Sequence, residues 1–130
     1  MRGVVRALLA LGALGAQAVP APADDAYKRC IDNSNGTNPA WAACGGEWIA
    51  REDARLNASW KRLLAESGPA VRKDLLEEQR AWNAFKEKSC RFYDNGEFGR
   101  EGQVLHFPIC RATLIAQRAA TLESYGADRR

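Results

Sequence analysis

The side chains best suited to chemistry in this 130-residue chain are four cysteines, Cys30, Cys44, Cys90 and Cys110, and a single histidine, His106. Cysteine and histidine together can ligate zinc, but no Cys-x-x-Cys pair occurs and His106 stands alone, so no metal and no other cofactor is expected. An even set of cysteines favours two disulfides formed in an oxidising compartment. Sequence leaves three connectivities open. Cys30 with Cys44 and Cys90 with Cys110 is the preferred pairing, because each closes a short polar loop with little else to hold it; the chain-entropy model gives such loops roughly 3 kcal/mol each. A general-base role for His106 needs a nucleophile and an orienting acid, and neither is recognisable once the cysteines are committed to disulfides. Glu77 and Glu78 are adjacent, so on a helix they point to different sides and form no convergent carboxylate pair. They read as a solvated face. No catalytic residue is assigned, and the chain is not expected to be an enzyme.

The elements that must position these residues read as helices. Residues 24–38 hold Asp32, Asn33, Ser34, Asn35, Gly36, Thr37 and Asn38, a cluster of turn formers that predicts an irregular N-terminal segment anchored by Cys30. Asn38-Pro39 marks a helix start, with asparagine as the cap and proline at the first helical position. From there Trp41, Cys44, Trp48, Ile49, Leu56, Trp60, Leu63 and Leu64 recur at helical intervals to about Ser67. Gly45-Gly46 should weaken the first turns by about 1 kcal/mol per glycine relative to alanine.

Gly68-Pro69 closes one helix and opens the next, which runs to about Tyr93. So short a connection makes the two helices an antiparallel hairpin. After a loop at Asp94–Gly99, a third helix is expected over about Gly102 to Tyr125, with a kink or a late start near Phe107 imposed by Pro108. The fold class is therefore all-α: a small domain over 26–125, built of a helical hairpin and a third helix, fastened by two disulfides, with a tail at 126–130. Trp48, Leu56, Trp60, Trp82, Phe85 and Leu122 are its expected core.

The leading residues run Met1-Arg2-Gly3-Val4-Val5-Arg6 and then apolar from Ala7 to Ala16, the pattern of a secretory signal peptide over 1–18, with cleavage after Ala18 or Ala23. The apolar run is well short of the ~20 residues that span a bilayer, so no stable membrane anchor is expected. Losing Arg2 and Arg6 with the leader leaves 17 basic against 16 acidic side chains, a net charge of +1 in place of +3. A near-neutral chain without a basic stripe argues against nucleic acid or an anionic membrane as partner. The destination is the periplasm or the exterior. Asn35-Gly36-Thr37 and Asn57-Ala58-Ser59 match the glycosylation pattern, but such short matches are common and receive no function.

The run Gln79-Arg80-Ala81-Trp82 with Phe85 and Cys90, preceded by Asp53, Leu56, Asn57 and Trp60 and followed by Cys110, Arg118 and Leu122, resembles the LprI-like lysozyme inhibitor family. The likeness covers about Cys30 to Leu122, although Trp60 stands where the family usually has tyrosine and Ile115 where it usually has threonine. The resemblance implies a small exported bacterial helical protein whose partner is another protein, most concretely a lysozyme. The rival is an envelope binding or toxin-neutralising module without lysozyme activity, since an inhibitor of a strongly basic enzyme is expected to be more acidic than this chain.

The polar members of the motif, Asp53, Asn57, Gln79 and Arg118, are expected to form a satisfied structural network between helices. Trp41, on the first turn of its helix, and Asp94, Glu97, Phe98 and Glu101, on the loop between Cys90 and Cys110, are the candidate partner-binding residues. A tethered loop loses little entropy on entering a concave cleft, and its acids suit a basic enzyme.

Overall fold

A computed structural model describes residues 24–128. The signal-peptide reading and the end of the tail lie outside them. Helix α1 spans Asp25–Asn33, α2 Asn38–Ala65 and α3 Pro69–Lys88. A 3-10 turn follows at Arg91–Tyr93. The short helix α4, Gly99–Glu101, passes through a π-helical segment, Gly102–His106, into α5, Phe107–Ala127.

The all-α class and both disulfides, Cys30–Cys44 and Cys90–Cys110, are as the sequence implies. The first helix is not. Residues 24–38 are not irregular throughout, because the Asp24 carboxylate caps α1 by accepting the Tyr27 N–H at 2.8 Å. Tyr27, Cys30 and Ile31 then form the i, i+3, i+4 stripe that lies against α2. Thr37, rather than Asn38, caps α2 through an Oγ1 that accepts the Ala40 N–H at 3.4 Å.

Helices α2, α3 and α5 run up, down and up. Gly45 meets Pro108 at one end, while Ser59 meets Glu123 toward the other, so α2 and α5 are parallel. Gln79 and Glu78 of α3 bond Arg118 of α5, and Glu87 pairs with Arg111, so α3 runs against α5. The most extensive close backbone packing is between α2 and α5. Small residues permit it: Ala112 and Ala119 are fully buried on α5, and Ser59 and Gly45 are buried on α2. A Cβ on Gly45 would lie 2.5 Å from the Pro108 Cβ, which is why a glycine persists at that position inside a continuous helix; nothing comparable constrains Gly46.

Two apolar clusters fill the bundle. Leu56, Leu63, Leu75, Ile115, Ala119 and Leu122 form one, with Trp60, Trp82 and Tyr125 packed on its margin. Tyr27, Cys44, Trp48 and Ala112 form the other, with the Tyr27 and Trp48 rings 4.9 Å apart. Phe85 belongs to neither and is 56% exposed. The buried stripe of α3 follows Leu75, Gln79 and Trp82 to the half-buried Lys86, and Phe85 lies about 100° around the helix from that last position.

Pro108 lies in the first turn of α5, which begins at Phe107 as the sequence allows, but it leaves no gap in the helical path. The π-helical segment just before it bonds the Phe107 N–H to the Gly102 carbonyl, a wide turn that leaves room for the ring. The helical path therefore begins at Gly99, earlier than expected, and continues through Gly126 and Ala127, which the sequence reading assigned to the tail. No described helix is long and apolar enough to cross a membrane.

Candidate protein-binding surface

The disulfide-closed turn between α3 and α5 is built by a break in helix α3. Its final N–H partner is Ser89, which donates to the Phe85 carbonyl. Cys90 then takes a left-handed backbone, φ 72°, and ends the helix short of the expected Tyr93. Its sulfur is fixed to Cys110 in the first turn of α5, so the strained residue is held from both sides. The chain returns through a side-chain turn in which the Asn95 Oδ1 accepts the Glu97 N–H at 3.0 Å.

Four rings gather on this turn. Tyr93 stacks on His106 at 5.4 Å, Phe98 stands edge-on to Tyr93 at 5.2 Å, and Phe92 lies 4.2 Å from Tyr93. Gly102 lets the turn lie flat on the helix, since a Cβ there would strike the Tyr93 carbonyl oxygen and the Phe98 Cβ. Phe92 and Phe98 remain 54% and 48% exposed, an apolar patch on a rigid support. Asp94, Glu97 and Glu101 are exposed beside it and make no ion pair among the described residues. Arg91 and Arg100 sit among them, and Arg100 donates to Gln103 at 2.6 Å.

Trp41 is half-buried in the first turn of α2, at the same end of the bundle as this turn. The sequence reading singled out Phe98, weighed His106 only as a ligand or general base, and missed Phe92 and Tyr93. The adjacent aromatic pair immediately before Asp94-Asn95-Gly96 was the available signal, masked by extending α3 through Tyr93.

The motif's polar residues divide into two groups. Gln79 Oε1 accepts two N–H groups of Arg118, from Nε at 2.9 Å and Nη2 at 2.8 Å. Arg118 Nη1 also donates to Glu78 at 2.7 Å, and the Tyr125 hydroxyl donates to the same Glu78 oxygen at 2.9 Å. Glu78 is therefore no mere solvated acid. Partial burial acts to raise its pKa, but the hydrogen bonds from Arg118 and Tyr125, with the Arg118 charge, outweigh this and hold the carboxyl below the usual carboxylate range. Asp53 and Asn57 take no part: they line a separate groove with Gln79 and make no side-chain hydrogen bond among the described residues. The expected four-residue network is thus a contact of Arg118 with Gln79 and Glu78.

Among the described residues no group of histidine, cysteine and acidic side chains is placed to hold a metal ion. A family model described as "Lysozyme inhibitor LprI" matches residues 30–122, most of the chain. No curated protein and no solved structure matches it.

Proposed function

This chain belongs to the lysozyme inhibitor LprI family, and from that premise we propose that it is an exported protein, periplasmic or secreted, that binds a lysozyme and blocks it stoichiometrically. The family is one of inhibitors rather than of catalysts. The two disulfides accord with an oxidising compartment outside the cytoplasm. The observation that carries the reading is the rigid aromatic turn, where Phe92 and Phe98 are half exposed on a support fixed by Cys90–Cys110.

Such a turn loses little conformational entropy on docking, because folding and the disulfide have already ordered it. Phe98 and Phe92 supply apolar area for the walls of a substrate cleft. Asp94, Glu97 and Glu101 steer the approach to a basic enzyme, which makes the association rate fall as salt rises. Trp41, at the same end of the bundle, extends the contact. Inhibition then follows from occupation of the cleft and needs no reaction.

The test is titration of the purified, oxidised mature protein into animal-type, goose-type and invertebrate-type lysozymes while lysis of bacterial cell walls is followed. Inhibition of at least one enzyme, saturating at one to one, is expected. Phe98→Ala should raise the concentration needed, per folded molecule, by about tenfold or more, beyond the small loss of stability from its contact with Tyr93. Absence of inhibition of every enzyme at micromolar excess would remove the proposal.

A further inference from the structure

Away from the aromatic turn, α2 and α3 meet chiefly through long side chains rather than by close backbone approach, and a groove runs between them. Trp60 and Trp82 form part of its walls while packing on the margin of the apolar core. Asp53, Asn57 and Asn83 line it with side chains that make no hydrogen bond or ion pair among the described residues. Their polar groups are open to a ligand.

Gln79 is the decisive member. It is only 8% exposed, yet it also lines the groove. Arg118 carries donors alone, so the Gln79 amide must turn its oxygen to the guanidinium, and that oxygen receives both N–H groups. The Nε2 donors are thereby turned away from Arg118 and have no acceptor among the described residues. A buried amide fixed in this way presents its N–H pair to whatever occupies the groove.

The lining also limits the class of ligand. Its charged groups are one carboxylate, Asp53, and one ammonium, Lys86, whose Nζ lies 5.5 Å from the centre of the Trp82 ring. They balance, which favours a neutral ligand over an anion or a cation. Arg118 also lies over the Trp82 ring, 5.8 Å from its centre, so Trp60 is the groove's indole without a cation over it among the described residues. That indole suits a molecule with a flat apolar C–H face, and flanking amides and a carboxylate suit one that offers several hydroxyls able both to donate and to accept. A pyranose ring has both properties. We propose that the groove between α2 and α3 binds a neutral saccharide, with the indole of Trp60 against a ring face, Trp82 beside it in the groove wall, and Asp53, Asn57, Gln79 and Asn83 on its hydroxyls.

The experiment follows the tryptophan indole N–H resonances of the oxidised mature protein while triacetylchitotriose or maltotriose is added, each indole being assigned through its Trp→Phe variant. Saturable shifts of Trp60 and Trp82, with Trp41 unmoved, are expected with at least one trisaccharide. Asp53→Asn and Asn83→Ala, which alter side chains without protein partners, should weaken binding about tenfold while leaving the melting temperature in place. The proposal is overturned if neither sugar moves these resonances at about 10 mM, if both variants bind as the parent does, or if Trp41 responds equally. No lysozyme is present, so the outcome is independent of inhibition.

Discussion

Gly45 and Arg118 show how single positions set the spacing of this bundle. At Gly45 a methyl group would meet Pro108 at 2.5 Å, on a ring that cannot swing aside. Gly45→Ala gains about 1 kcal/mol in helix propensity, but overpacking of this kind typically costs about 1–3 kcal/mol. Thermal denaturation should therefore show a net loss of stability, whereas Gly46→Ala, with nothing within 4 Å of the added methyl, should stabilise the protein. Arg118→Ala strips partners from Gln79 and Glu78 and should lower stability by about 2–3 kcal/mol. Inhibition per folded molecule should persist, because these contacts lie away from the aromatic turn. An unchanged melting temperature with lost inhibition would reverse that assignment. Glu78 adds a pH dependence. Its folded-state pKa lies below its unfolded value, so its contribution is present above the ordinary carboxylate range and disappears as pH falls through the folded value. The melting-temperature gap between the parent and Glu78→Gln should accordingly narrow between neutral pH and about pH 3.

At the scale of elements, each disulfide holds a segment that the helices alone would leave loose. Cys30–Cys44 fastens α1 to α2, and Cys90–Cys110 fixes the end of α3 to the start of α5. Replacing either pair by serine should cost about 3 kcal/mol. The functional effects should differ. Loss of Cys90–Cys110 frees the aromatic turn and should weaken inhibition beyond what the folded fraction explains, while loss of Cys30–Cys44 should reduce only stability. Circular dichroism melts together with active-site titration of the lysozyme separate the two. The three long helices were legible because their proline-marked starts and apolar periodicity agree over many residues. Helix α1 was not, since its nine residues are short and Asp32 and Asn33 merge with the turn formers that follow. The π-helical segment was legible only as trouble near Pro108. Whether a proline kinks, ends or is bypassed by a helix depends on which neighbour covers it, here Gly45.

At the scale of the whole molecule, the bundle separates a closely packed α2–α5 pair from an α3 held by long side chains, and its two candidate binding features follow from that division. The aromatic turn caps the end where α3 returns to α5, and the saccharide groove runs between α2 and α3. Composition, helical periodicity and the cysteine set determined the all-α class and the helix order, because these depend on local propensity and on residue spacing along one chain, while the family was legible only through the likeness of the motif residues between Cys30 and Leu122. That Asp94, Glu97, Phe98 and Glu101 stand exposed on the stretch between Cys90 and Cys110 was also legible, since turn formers and acids dominate it. Tertiary structure alone decided that Phe85 faces solvent, that Glu78 rather than Asp53 or Asn57 joins Arg118, and that Phe92, Tyr93 and His106 gather around Phe98. Each of these depends on how far one helix is rotated and displaced against another, and side chains far apart in sequence set that displacement through packing.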